Sequence, residues 1–226
     1  MSECIALSSF LNNPKSISNG LLLYYFQDVL LDTPFGLDSN NEEHVYDVQS
    51  FMQMHQIKNS KSFRVFLHNL KKGEYFHANV KDIIEEIYHL DEVAFAEHVE
   101  QLEGAYLRNR YRLLYPQRYA IVGYGILGFN YALYSLVCRI GGVLGYITKK
   151  EVHTRHCELF EYISRVFVNG RELQENIMLG IQFYEASLQA SPTSFSRKGN
   201  YWNIVRELQN DQLNSNHNLR KNRDEF

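Results

Sequence analysis

The amino-acid sequence predicts an all-α fold, a single multi-helix globular domain around a buried central helix at about residues 120–140. Three observations carry this prediction. Apolar residues recur at helical spacing in nearly every segment. Helix start and stop signals fall between those segments, among them Asp91, the T-x-x-E box from Thr148 to Glu151, Lys71-Lys72-Gly73 and Pro116. The stretch Ala120–Ile147 is the most apolar part of the chain, and Arg139 is its single charge.

Three readings compete for that central stretch. Gly123-Tyr124-Gly125-Ile126-Leu127-Gly128 matches G-x-G-x-x-G. That motif binds a dinucleotide only between a strand and a helix of a βαβ unit, with an acid further on, here Glu151. No alternating strands and helices surround it. The uncharged run from Tyr119 to Cys138 barely reaches the roughly 20 residues that a bilayer requires, and it holds Asn130, four tyrosines and three glycines. The preferred reading is a soluble core helix whose small residues let neighbouring helices approach closely, followed by a glycine-rich turn.

The other elements follow in order. Glu3–Leu11 reads as a short helix ending before Pro14. Ser18–Leu31 is apolar nearly all round and therefore buried. Thr33-Pro34-Phe35-Gly36 is a turn. Asp38–Gln56 places Val45, Val48, Met52 and His55 on one face. Asn59 or Ser60 caps a helix through Phe63, Phe66, Leu67 and Leu70, and Gly73 stops it. Asn79–Leu90 follows, with Tyr75–His77 as a brief extended piece before it. Asp91 caps a longer helix to about Tyr115. Beyond the central helix come Lys149–Val168, ended by Asn169-Gly170, then Arg171–Gln189, broken by Ser191-Pro192. Tyr201–Leu213 is a last amphipathic helix. The domain is expected to span 1–213, with a polar, mobile tail over 214–226.

Composition restricts function. The chain has 226 residues, 45% of them hydrophobic, and a net charge of −3, which disfavours generic nucleic-acid binding. Cys4, Cys138 and Cys157 are odd in number and unpaired in spacing, as in a reducing compartment. Glu3 and the lack of a basic start argue against a secretory signal. A cytoplasmic location and no membrane span are expected. His153, His156 and Cys157 lie within one helical turn, but a metal site requires three or four ligands and no second cluster is evident. Glu86 and His89 form one E-x-x-H, whereas a di-iron bundle requires two with further carboxylates. No nucleophile elbow or P-loop occurs, so neither a metal nor a cofactor is expected.

Charge is unevenly distributed. Lys81–Glu103 is dense in acid, and no acid occurs from Gly104 to Thr148, where Arg108, Arg110, Arg112, Arg118 and Arg139 fall. The basic part is interleaved with tyrosines, including Tyr106 and Tyr111. Such a segment can pair internally with the acidic helices upstream or present a protein-binding surface, where Tyr and Arg are enriched. It can also stack on nucleic-acid bases. Tyr106, Arg108, Arg110, Tyr111 and Arg112 are the candidate partner-binding residues.

Two ordered blocks carry a family resemblance. The first comprises Arg139, Gly141, Gly145, Tyr146, Ile147 and Glu151, in a pattern A-W-D-x-x-R, R-x-G, G-Y-[IL]-[ST]-x-x-E. The second comprises Phe167, Glu172, Leu173, Gly180, Phe183 and Tyr184, in F-x-S-W-x-E-[FL] and G-x-x-[FY]-W. Weaker similarity reaches back through Met54–Phe76. The chain thereby resembles a bacterial family catalogued as domain of unknown function 1266, with YbeU- and YbeR-like members. The resemblance brings no activity. It marks Asn130, Arg139, Tyr146, Glu151 and Glu172 as a candidate pocket or structural motif. Asn130 stands where the pattern has Asp, Leu133 where it has Arg, Asn169-Gly170 where it has Ser-Trp, and Ile181 where it has another Arg. Coupled loss of Asp and Arg is what a discarded ion pair leaves, since keeping one would strand a buried charge.

These readings converge on a non-enzymatic protein–protein interaction protein, of the immunity, inhibitor or accessory type, acting on a bacterial partner. The alternative is an enzyme or effector with a site near Asn130, Arg139, Tyr146 and Glu151. If Arg139 is buried it requires a carboxylate or carbonyl partner, and Glu151 and Glu172 are the candidates.

Overall fold

In a computed structural model, residues 15–26, 29–31, 33–74 and 76–188 are described. They form helices α1 (Ser16–Tyr25), α2 (Glu42–Met54), α3 (Ser60–Lys72), α4 (Phe76–Ile87), α5 (Glu92–Gln101) and α6 (Ala105–Leu114). A 3-10 turn (Tyr115–Gln117) leads to the short α7 (Arg118–Ile121), then α8 (Leu127–Val143), α9 (Lys149–Val166) and α10 (Gly170–Leu188). No strand occurs among the described residues. The helices expected at Glu3–Leu11 and Tyr201–Leu213, the break at Ser191-Pro192 and the tail lie outside them.

α8 is the axis of the fold. It packs on α1, α3, α9 and α10, and nearly every residue from Gly128 to Val143 is buried. An apolar surface on all sides requires neighbours on all sides. Glycines make the approach close. A Cβ at Gly141 would overlap the Phe63 ring of α3, and one at Gly180 of α10 would overlap the Phe129 side chain. A second group, α4, α5 and α6, docks through α6 on α10.

Local signals terminate several helices. The Asn59 side chain accepts from Lys61 N and Ser62 N at 3.0 Å, and Ser62 Oγ accepts from Asn59 N at 3.0 Å, closing the box at the start of α3. Gly73 ends that helix in the left-handed region at φ 75. Asp91 Oδ1 accepts from Ala94 N at 2.8 Å to start α5.

Five boundaries differ from the sequence reading. The helix expected from Asp91 to Tyr115 is two helices, because Gly104 adopts φ 89 and turns the chain between α5 and α6. The helix expected over Ser18–Leu31 stops at Tyr25, where Phe26 is extended. The helix expected from Asp38 starts at Glu42, capped by Asn41. Phe76 and His77 belong to α4 rather than to an extended piece. The central helix begins at Leu127, not near residue 120, because Gly125 at φ 51 closes a turn after α7.

Candidate functional site

The single charge of the central stretch lies at the middle of the fold. Arg139 is fully buried on α8. Its Nε donates to Phe35 O at 3.0 Å, and its Nη1 donates to Asn19 Oδ1 at 2.7 Å and Ser18 Oγ at 2.9 Å. A planar fork of five donors can serve several acceptors at once, and here it ties α1 and the 31–36 loop to the central helix. Gly36, at φ 76, lies against this guanidinium and leaves no room for a Cβ.

Glu151 and Glu172, expected as partners of Arg139, are engaged elsewhere. Glu151 Oε2 accepts from Thr148 N at 3.0 Å, and Thr148 Oγ1 accepts from Glu151 N at 3.2 Å, so Glu151 completes the capping box of α9. The Thr148 backbone N–H holds the Glu151 carboxyl below its ordinary range. Glu172 accepts from Tyr124 OH at 3.1 Å and from Val168 N at 2.8 Å. One turn on, Asn176 accepts from Gly128 N and donates to Gly125 O, both at 2.7 Å. Glu172 and Asn176 thus clamp the G-x-G-x-x-G turn onto α10. That segment lies between two helices, with no strand before it, so the dinucleotide reading lapses.

The remaining candidate pocket residues do not converge. Tyr146 lies beside Phe63, with ring centroids 5.5 Å apart. Asn130 is fully buried, and neither its amide oxygen nor its amide nitrogen has a hydrogen-bond partner among the described residues. Leu133, where the family pattern has arginine, is equally buried. Among the described residues, no hydrogen bond or ion pair joins any two of Asn130, Arg139, Tyr146, Glu151 and Glu172.

A second buried polar contact went unread in the sequence. Ser135 Oγ lies 3.0 Å from His156 Nε2, and burial lowers the His156 pKa to about 4. His156 thus faces the core, away from its exposed neighbours His153 and Cys157. His153 Nε2 and Cys157 Sγ remain 3.7 Å apart on the exposed side of α9. Among the described residues no group of three or more His, Cys, Asp or Glu is placed to hold a metal. Glu86 of the lone E-x-x-H accepts a hydrogen bond from Tyr111 and faces His98 at 3.7 Å. Burial pushes the Cys138 thiol up to about 12, which makes it a packing group rather than a nucleophile.

The tyrosine- and arginine-rich segment divides between core and surface. Tyr111 is buried, and burial together with its bond to Glu86 raises its hydroxyl pKa. Arg112 pairs with Glu100 at 3.1 Å, so part of the segment does pair with the acidic helices upstream. Arg110 lies over the Phe183 ring at 4.8 Å, and Arg108 is half-buried. Tyr106 and Tyr119 are 47% and 59% exposed.

Around Tyr119 runs a ladder of stacked side chains. Phe95 stacks on Tyr115 at 3.7 Å, and the Arg118 guanidinium lies 3.8 Å from the Tyr115 centroid and 4.1 Å from that of Tyr119. Tyr119 meets Tyr88 edge-on at 5.2 Å, and Tyr88 meets His89 at 4.9 Å. The spacing of Tyr115, Arg118 and Tyr119 along a helical path could have indicated half of this ladder. Phe95, Tyr88 and His89 come from α5 and the end of α4, and no local signal joins them.

Comparisons complete the description. Searches of curated proteins and of solved structures each return no match. A family described as protein of unknown function (DUF1266) matches residues 50–217, which include both motif blocks. The match covers most of the chain, and the chain belongs to the DUF1266 family.

Proposed function

We propose that this chain is a non-enzymatic binding protein that acts on another protein, as an immunity, inhibitor or accessory factor in the cytoplasm of a bacterium. One observation carries the reading, the half-buried ladder of aromatic side chains and arginine from Phe95 to His89, which brings Tyr119 to the surface, 59% exposed. Tyr and Arg dominate the energetics of protein interfaces because each brings large contact area with a polar tip at modest entropic cost. The acidic net charge favours a protein over a nucleic acid as partner. Among the described residues no helix is long and apolar enough to cross a membrane. The separate engagements of Arg139, Tyr146, Glu151 and Glu172 weigh against the alternative of an enzyme centred on them.

Site-specific photocrosslinking in the native host tests this. A photoreactive phenylalanine at position 119 or 106 is expected to yield a discrete protein adduct, and one at position 162 on α9 is not. Tyr162 is a fair control because it is also exposed. Absence of adducts at 119 and 106, or equal adducts at 162, would count against the reading.

A further inference from the structure

We infer that Arg118 is the anchor of this face and that it receives a carboxylate, an Asp or Glu side chain of the partner protein. The inference rests on the binding reading above and deepens it. Two tyrosine rings, those of Tyr115 and Tyr119, lie against the Arg118 guanidinium, with centroids 3.8 and 4.1 Å from its central carbon. Its Nη1 donates to Tyr115 O at 2.7 Å and its Nη2 to Tyr119 OH at 3.0 Å, which fixes the plane of the fork. Its Nε is shielded from solvent, so the donors left for a partner are the second N–H of Nη1 and of Nη2. Arg118, like Arg64, Arg108 and Arg165, forms no ion pair among the described residues, whereas Arg112, Arg155 and Arg171 each face a glutamate.

The lack of a local acid has a simple cause. No Asp or Glu occurs from Gly104 to Thr148. On α4 and α5, Glu86 is held by Tyr111 and His98 and Glu100 by Arg112, and none of Asp82, Glu85, Glu92 or Glu97 forms an ion pair with Arg118 among the described residues. Asp91 is occupied at its helix cap. A guanidinium held rigid against two rings has already lost most of its rotamer freedom, so an anion that reaches its remaining donors gains charge-assisted hydrogen bonds at little ordering cost. Apolar groups of the partner beside that acid can rest on the exposed Tyr119 and Val122.

Selection of a random peptide library displayed on phage against the full chain tests the inference. Convergent peptides with Asp or Glu at a fixed register are expected. Replacing that acid by its amide should weaken binding to the wild type by about ten-fold and leave binding to Arg118→Met unchanged. Tyr119→Ala, which removes one wall and spares the bond to the Tyr115 carbonyl, should also weaken the acidic peptide by about ten-fold. If Arg118→Met does not give the wild-type circular dichroism, Arg118→Gln takes its place. It keeps a hydrogen-bonding group, loses the charge and the fork, and should abolish most of the difference between acid and amide.

Convergent peptides without an acid, or an acid-to-amide effect that persists in the Arg118 variants, would overturn the inference and leave the binding reading standing. Failure to select any convergent peptide would overturn both. Tighter binding of an oligothymidylate than of any peptide, lost in Arg118→Met, would assign the anion to phosphate and likewise overturn the carboxylate.

Discussion

Replacing Arg139 by methionine would test the account of the core most directly. The substitution keeps the length of the side chain and removes the donors, so the loss is chiefly polar and little cavity is created. It withdraws a charged donor from Asn19 Oδ1 at 2.7 Å, Ser18 Oγ at 2.9 Å and Phe35 O at 3.0 Å. Asn19 and Ser18 are buried, and each would lose the charged donor that Arg139 supplies. Hydrogen bonds to charged groups contribute about 1.5–3 kcal/mol each and are not additive when they share one group, so about 3–5 kcal/mol is expected in total. For a domain of this size that is a fall in melting temperature of about 6–20 °C. Urea unfolding followed by far-ultraviolet circular dichroism measures the loss. A double-mutant cycle with Asn19→Ala should recover about 1–2 kcal/mol of coupling. A loss below about 1 kcal/mol would show that these contacts do not hold the fold together. A comparable loss from Glu172→Gln, coupled to Arg139, would restore the carboxylate pairing that the motif positions suggested.

Two further outcomes are expected. Burial lowers both His156 and His55 from 6.5 to about 4, so between these values the unfolded chain binds more protons than the folded one. Stability should therefore be level above pH about 6.5 and fall as pH drops towards 4, by up to about 3 kcal/mol per histidine. His156→Gln should remove its share of that slope, and a stability independent of pH over the window would refute the burial argument. Asn130→Leu should stabilise the protein by about 1–2 kcal/mol, since it removes a buried amide without a partner among the described residues and puts a side chain of similar volume in its place. A destabilisation of more than about 1 kcal/mol would mean that the amide is satisfied in solution.

Much of the fold was readable because its signals are local. The box at Thr148, the cap at Asp91 and the stop at Gly73 each act within one turn of a helix and are present as read, and of the two caps open at Asn59 and Ser60 the structure takes Asn59. The buried central helix followed from a run of apolar residues too continuous for a surface element. Two of the misread boundaries are of one kind. At Gly104 and Gly125 a left-handed backbone breaks a segment whose side chains alone would have continued as helix, and periodicity carries no information on the sign of φ.

The candidate sites were only partly readable. The matched family blocks single out Arg139, Glu151 and Glu172, but not the groups that each of them meets. Arg139 reaches acceptors 104 to 121 residues away, on α1 and a loop. Similarly, Tyr111 and Arg112 are one position apart yet meet the core and the surface, because α4 and α5 cover only one side of α6. Tyr115, Arg118 and Tyr119 share a face by spacing alone, whereas Phe95 and Tyr88 extend that face into a ladder only through the docking of α4, α5 and α6. The sequence by itself thus determined where helices form, which of them is central and which charge is unusual. Tertiary structure decided which groups meet, because helix formation depends on residues one turn apart, while pairing depends on how whole helices cross.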